Sequence, residues 1–209
     1  VAKPDEKALI PRVIGRLKWA AVNYLGRPLT SQELETFTAY VMATIRHETA
    51  ATFKPIRERG GSAYFTRLYN PRTAVGKQLG NLTDMDAVDF AGAGYVQITG
   101  RNNYQRVGVL LGLGDNLVKF PHMALHADVS LAITVDGMLN GWFTGMSMPK
   151  ALKRYGSDFE QWRRIVNGLD KAILIANYGR EYLTEGTEDV DIQPLTLDLL
   201  KAIGQIRKT

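Results

Sequence analysis

The stretch "TSQELETFTAYVMATIRHE", residues 30–48, constrains the fold more than any other part of the chain. Thr30 and Glu33 have the spacing of a capping box, in which each side chain satisfies a backbone N–H of the opening helical turn. Phe37, Tyr40, Val41, Thr44 and Ile45 then fall at i, i+3, i+4, i+7 and i+8, the stripe of a helix with a buried face. Glu48 continues that stripe at i+11. Eleven steps of about 100° return nearly to the starting angle. A carboxylate therefore ends a core-facing helix on its inward side.

Other helical patterns cover 7–24, a basic amphipathic segment ended by "GRP", and 101–111, 127–141, 158–168, 170–183 and 195–207. Ser157 and Glu160 have capping-box spacing at the start of 158–168. Leu197, Leu200, Ile203 and Ile206 share one side of 195–207. From 54 to 94 the periodicity breaks up. "ERGGS", "YNPRTAVGKQLGN" and "DFAGAGY" are rich in Gly, Asn and Pro and read as loops and short strands. "AGYVQITG", 93–100, alternates loosely and is expected to form one strand of a small sheet. The expectation is a mainly α fold with a small β element, α+β in class. A chain of 209 residues suits one large domain or two unequal lobes sharing a cleft. Long loops in such a domain usually carry function.

Apolar residues make up 45% of the chain, enough to bury a sizeable core. The excess of 26 basic over 21 acidic residues gives a charge of +5, with a pI near 9.4. That balance suits an anionic partner, whether nucleic acid, a membrane surface or an acidic wall polymer, and does not choose among them. The absence of cysteine excludes disulfides and thiolate metal sites. No stretch approaches the roughly 18–20 apolar residues of a membrane span. The first residues lack the apolar region and cleavage site of a signal peptide, so no secretion signal is expected.

Two carboxylates stand out, ten positions apart in "TIRHETAATFKPIRERG". Glu48, at an inward-facing helix end, is a candidate acid, because partial burial favours the neutral form; Arg46 and His47 beside it oppose that. Glu58 lies between Arg57 and Arg59, which favour the ionised form that a base requires. Spacing alone favours a plainer reading, in which Glu48 pairs structurally with an arginine and Glu58 is a solvated surface glutamate. "GYVQITGRNNY", 94–104, offers Gln97, Thr99, Arg101, Asn102, Asn103 and Tyr104. Amides can bond sugar hydroxyls, an aromatic ring can stack on a pyranose, and Thr99 can hold a water. A polar strand–turn–helix junction fits that stretch as well. His122 and His126 have i, i+4 spacing but lack the Glu of a zinc-protease helix. They are expected at the surface, with no metal site. Trp142 and Phe143 in "NGWFTG" are expected to close the end of a helix, with a wall of a sugar subsite as the lesser reading. "GVLLGLGDN" matches no phosphate-binding loop, and no nucleic-acid motif is present.

Four stretches taken together resemble one family. "HETAATFKPIRERG" is similar to the first active-site stretch of glycoside hydrolase family 19 and its phage endolysin branch. "FAGAGYVQITGRNNYQRVG" resembles that family's "GRG…QLTGR…NY" segment. "VDGMLNGWFTG" and "WRRIVNGLDKAILIANYGREYL" resemble two later endolysin stretches. The four occur in family order and span roughly two thirds of the chain. Two departures stand out: Ala93 replaces the Arg of "GRG", and Leu169 replaces the second glycine of "INGG". If that Arg supports the catalytic acid in the family, another residue must do so here, with Arg46 and Arg101 as candidates.

The resemblance implies a lysozyme-like, bilobed helical domain over 1–209 with a deep substrate cleft, part of which could form a smaller wall-binding lobe. It implies Glu48 as general acid, Glu58 as general base and Thr99 as the hydroxyl that helps hold the water. It implies substrate contacts at Gln97, Asn103 and Asn167; Arg101 and Tyr104 are added from the residues themselves. The implied activity is inverting hydrolysis of peptidoglycan β-1,4 bonds, N-acetylmuramidase in type, by a monomer needing no metal or cofactor. An enzyme of this kind accumulates in the host cytoplasm and leaves through a holin pore. A chitinase, a lytic transglycosylase, a zinc amidase or peptidase using His122 and His126, and a non-catalytic wall-binding module are the alternatives.

Overall fold

The structure, a computed structural model, describes residues 3–185. Its helices are α1 (Pro4–Ala20), α2 (Ser31–Glu48), α3 (Ser62–Tyr69), α4 (Ala74–Gln78), α5 (Asp84–Asp89), α6 (Arg101–Leu110), α7 (Asn116–Lys119), α8 (Ala127–Asn140), α9 (Met148–Tyr155), α10 (Phe159–Trp162) and α11 (Ala172–Glu185). Strands β1 (Ile56–Arg57) and β2 (Ala93–Gly94) pair antiparallel, Ile56 opposite Gly94 and Arg57 opposite Ala93. The chain divides into two compact units, whose described parts are 3–53 with 134–185, and 54–133. The expected 195–207 helix lies outside the described residues.

In the first unit, α2 packs against α1 and α11. The Thr30–Glu33 capping box forms, and Arg27 grips the Glu33 carboxylate with both guanidinium nitrogens. The expected stripe is buried, but so is everything from Thr36 to Ile45. Helix α2 is thus covered all round, whereas the sequence pattern suggested a single buried face. Phe159 and Trp162 of α10 supply further cover, with ring centroids 5.5 and 5.3 Å from Tyr40. The segment expected as one helix over 7–24 begins at Pro4, ends at Ala20 and continues as a π-helical turn, Ala21–Leu25. Gly26, at φ +69°, closes that turn.

A buried ion pair joins α1 to α8. Arg16 Nε donates to Asp136 Oδ1 at 2.8 Å, and its Nη2 meets the other carboxylate oxygen. The two side chains are 1% and 0% exposed. The Tyr24 hydroxyl donates to Asp136 at 3.0 Å, and the Arg16 guanidinium stacks 4.0 Å over Trp19. Burial pushes the Asp136 carboxyl upward, against the lowering effect of Arg16 and Tyr24. Trp142, 7% exposed, meets Tyr24 edge-on, so "NGWFTG" closes a helix end as expected. The expected helix over 158–168 is broken. Asp158, rather than Ser157, caps α10 by accepting from Glu160 N, and the chain tightens into a 3-10 turn, Arg163–Ile165.

The second unit corrects the loop reading of 54–94. Three short helices occupy it, and Thr73 and Thr83 cap two of them by accepting from Gly76 N and Asp86 N. Residues 93–100 form a tight hairpin rather than one strand, because Ala93 and Ile98 exchange both backbone hydrogen bonds. Gly94 and Gln97, at φ +93° and +54°, make that turn. His122 lies in a 3-10 turn, Pro121–Leu125, and His126 is extended, so the two are not aligned along one α-helical face.

Replacing Asp136 by Ala strands a buried guanidinium, which typically costs about 3–5 kcal/mol. Urea denaturation is expected to show that loss for Asp136→Ala. The Arg16→Met, Asp136→Leu double variant, which removes both charges, is expected to recover most of it.

Candidate active site

Glu48 is the last residue of α2. Its carboxylate is 18% exposed, and Oε1 accepts from Arg163 Nη1 at 2.8 Å. The two arginines considered as supports for Glu48 have other partners. Arg46 pairs with Glu181 at 2.6 Å and stacks on Tyr178, and Arg101 pairs with Asp86 at 2.7 Å. The arginine supporting Glu48 is therefore Arg163, 4% exposed on the 3-10 turn after α10. Its Nε donates to the Asp170 carbonyl at 3.2 Å, and its own carbonyl accepts from Asn167 N at 3.0 Å. One side chain thus fixes both Glu48 and the 163–170 turn. Thr144 of "WFTG" holds the same turn by donating to the carbonyls of Arg164 and Ile165.

Asn167 is exposed at the tip of that turn, its Oδ1 accepting from Gly168 N. Leu169, the departure from "INGG", is 44% exposed. With Lys171, Ala172, Ile173, Leu174 and Asn177 it lines a shallow depression of about 390 Å³.

The exit from α2 is knotted by Thr49, which is fully buried. Its hydroxyl donates to the Ile45 carbonyl at 2.7 Å and accepts from Phe53 N at 3.1 Å. Ala50, Ala51 and Phe53 all adopt positive φ, between 49° and 57°. Left-handed backbone at non-glycine positions is costly, and such strain gathers at functional sites.

In the second unit, Glu58 extends the β1–β2 ladder by one residue, its N–H donating to the Gly92 carbonyl at 2.7 Å. Oε1 accepts from the Tyr69 hydroxyl at 2.9 Å, and Oε2 from Gly92 N at 3.0 Å. The flanking arginines do not hold it. Arg57 turns to the Val88 carbonyl, and Arg59 is exposed. Both donors to Glu58 are neutral. Tyr69 itself is pushed up to about 12 by burial, then by the hydrogen bond to Glu58 and its charge, so the phenol stays a donor.

Gln97 sits against the same ladder. Its Nε2 donates to the carbonyls of Ile56 and Gly94 at 2.9 and 2.8 Å, which decides the orientation of the amide. A Cβ on Gly92 would lie 3.0 Å from Gln97 Oε1 and 3.1 Å from Glu58 Oε2. Both oxygens therefore converge on the bare face of Gly92. Thr99 donates its hydroxyl proton to the Gln97 carbonyl at 3.0 Å, and its carbonyl accepts from Asn103 Nδ2 at 2.7 Å. Gln97, Thr99 and Asn103 thus form one connected group, and the first of them adjoins Glu58.

Tyr104 leaves this set. Its ring is fully buried, edge-on to Phe90 at 5.0 Å, and its hydroxyl points to the Ala91 carbonyl, so it packs the core and offers no face to a sugar. Arg101 is gripped by Asp86, with contacts of 2.7 and 3.0 Å. Ala93, where the resembling family carries Arg, is fully buried. Among the described residues, no group of three His, Cys, Asp or Glu side chains could hold a metal ion. Arg163, Thr49, Tyr69 and Gly92 were not anticipated. Only Thr49, next to Glu48 at the end of a clear helical stripe, left a local signal.

Burial opposes ionisation of Asp86, but Arg101 and the Leu82 N–H outweigh it, and the carboxyl sits below its ordinary range. A depressed carboxyl stabilises the fold above its unfolded pKa, about 3.9, and that contribution is lost as pH falls through the folded value. Asp86→Asn is therefore expected to be less stable than wild type at pH 7, with the difference shrinking below about pH 4. Urea midpoints across a pH series check this.

No family model matches the chain, and no curated protein does. Among solved structures, chitinase C from Streptomyces griseus HUT6037 is similar, with a TM-score of 0.56 at 16% identity, over 88% of this chain and 78% of that one. A single-substitution mutant of chitinase C matches with a TM-score of 0.57 at 17% identity, over 91% and 95%. The fold is thus the mainly α, lysozyme-like fold of these chitinases, as the sequence led one to expect.

Proposed function

We propose that this chain is a glycoside hydrolase of the phage endolysin kind, cleaving β-1,4 bonds of peptidoglycan as an inverting N-acetylmuramidase. The observation that carries the reading is the setting of Glu58. A carboxylate fixed by two neutral donors, beside Gln97, whose backbone carbonyl takes the Thr99 hydroxyl proton, is built to accept. A water between them donates one proton to Glu58 and the other to Thr99 Oγ, which leaves its lone pair free to attack the anomeric carbon. Glu48 acts as the acid on the leaving oxygen. Arg163 occupies Oε1 and leaves Oε2 to deliver the proton. As the proton departs, the guanidinium receives the negative charge that develops on the carboxylate.

Single displacement needs both carboxylates and room for the water, and it inverts the anomeric centre. No metal or cofactor takes part. Gln97, Asn103 and Asn167 contact the sugar. The charge of +5 suits a polyanionic wall better than neutral chitin. In this reading the enzyme is a monomer that gathers in the host cytoplasm and reaches the wall through a holin. The similarity to chitinase C makes chitin the second substrate to test.

Mass spectrometry of muropeptides, with NMR of the fresh anomer, tests the reading. Wild type is expected to release inverted, reducing muramic ends. Glu48→Gln and Glu58→Gln are each expected to lower kcat by about 10²–10⁴-fold while keeping the fold. Anhydro-muramic products from an active Glu58→Gln variant would overturn the two-carboxylate account. Cleavage of chitin oligomers without release of muropeptides would move the substrate to chitin, and loss of activity in chelator would point to metal-dependent chemistry.

A further inference from the structure

Glu58 is tied to the 97–103 segment by two side chains to which the reaction assigns no part. The Tyr69 phenol donates to Glu58, and the Tyr69 carbonyl accepts from Asn81 Nδ2 at 2.8 Å. Asn81 Oδ1 in turn accepts from Arg101 N at 3.0 Å. Asn81 is 4% exposed, and both ends of its amide are satisfied. Its nitrogen meets a carbonyl and its oxygen an N–H, so the amide has one orientation. The Tyr69 carbonyl closes α3, where the helix offers it no partner of its own. Arg101 opens α6, which carries Asn103.

The neighbours of Asn81 make the same junction. Leu79 O accepts from Asn102 N at 3.0 Å. Gly80, at φ +72°, leaves no room for a Cβ, which would lie 2.1 Å from the Asn102 side chain. Residues 79–81 are thus pressed onto 100–102. At the other end, the Tyr69 ring stacks on Phe65 at 6.4 Å with 11° between planes, which aims the phenol.

We propose that Tyr69 and Asn81 are positioning residues. They form a bracket that holds the Glu58 carboxylate in register with Gln97, Thr99 and Asn103. The proposal rests on the reading of Glu58 as the base. If Asn81 lets go, the last turn of α3 loses its anchor and the phenol no longer meets the carboxylate squarely. Displacement of a catalytic group by about 1 Å can cost 10²-fold in rate. The other charged or titratable groups around the bracket are engaged or turned outward. Tyr64 of α3 is 40% exposed, Arg57 bonds Val88 O, Arg59 is exposed, and Arg101 is paired with Asp86.

The experiment combines kinetics on peptidoglycan with NMR titration of 13Cζ-labelled tyrosine, using wild type, Tyr69→Phe, Asn81→Ala, Asn81→Asp and Glu58→Gln. The Tyr69 resonance is the one missing from Tyr69→Phe. Asn81→Asp keeps the acceptor for Arg101 N but cannot donate to Tyr69. Tyr69→Phe keeps the ring stack and secures the test if Asn81→Ala does not fold. Tyr69→Phe and both Asn81 variants are expected to lose about 10-fold or more in kcat with little change in KM. The Tyr69 resonance is expected to titrate at lower pH in Glu58→Gln and in both Asn81 variants.

An Asn81→Asp enzyme with wild-type kcat and an unmoved Tyr69 titration overturns the bracket. If wild type cleaves no glycan while the Tyr69 titration still moves in the Asn81 variants, the functional reading fails and the bracket stands.

Discussion

Arg16 and Asp136 impose the condition on which the first unit depends. Each charge is sealed from water, so neither can exist there without the other. Such a pair adds little net stability compared with an apolar pair, but it makes the docking of α1 on α8 specific. A slip of either helix would leave a bare charge in the core. Tyr24 completes the arrangement from the π-helical turn, and Trp19 and Trp142 close around it. With α1 fixed, α2 is held between it and α11 and buried along ten consecutive residues. That is why the last residue of α2 has a defined direction. Glu48 is delivered by a rod that cannot turn.

The second unit is organised differently. Its helices are short, and polar side chains bonded to backbone hold their ends together. Thr73 and Thr83 start α4 and α5, Asn81 links α3 to α6, and Gln97 ties β1 to β2 through the carbonyls of Ile56 and Gly94. Each of these groups is satisfied, and a polar network in a low-dielectric interior is rigid only under that condition. Glu58 sits where the network meets the two-stranded ladder, and its position is set by hydrogen-bond geometry more than by apolar packing.

This difference explains what the sequence revealed and what it concealed. The Thr30–Glu33 cap and the stripe to Ile45 are local signals, and they placed Glu48 on a helix end directly. Helices α6 and α8 were legible for the same reason. The short helices between 62 and 89 hid because they are too brief for periodicity, although Thr73 and Thr83 each stand three residues before the N–H they cap. The partners of the carboxylates hid for a deeper reason. Arg163 lies 115 positions from Glu48 and Gly92 lies 34 from Glu58, and no spacing rule reaches that far. The nearby charges, Arg46, Arg57 and Arg59, were the visible candidates; Arg46 and Arg57 bond other groups, and Arg59 is exposed. Tyr104 misled in the opposite sense: an aromatic beside amides looks like a sugar platform, yet the start of α6 turns it into the core.

The two carboxylates differ most in the charge of what holds them. Glu48 is bound by a guanidinium at one oxygen and has the other to offer. Glu58 is bound by neutral donors at both oxygens, so any proton it takes meets no fixed positive charge in direct contact. In the proposed roles, the guanidinium on the acid favours its ionised form and so also receives the charge left as the proton departs, while neutral donors on the base fix its direction without opposing the proton. Under the proposed roles, the contacts differ from those the flanking residues suggested. The arginines beside Glu58 were expected to make the base, and they are absent from it. The arginine in contact with a carboxylate is Arg163, on Glu48.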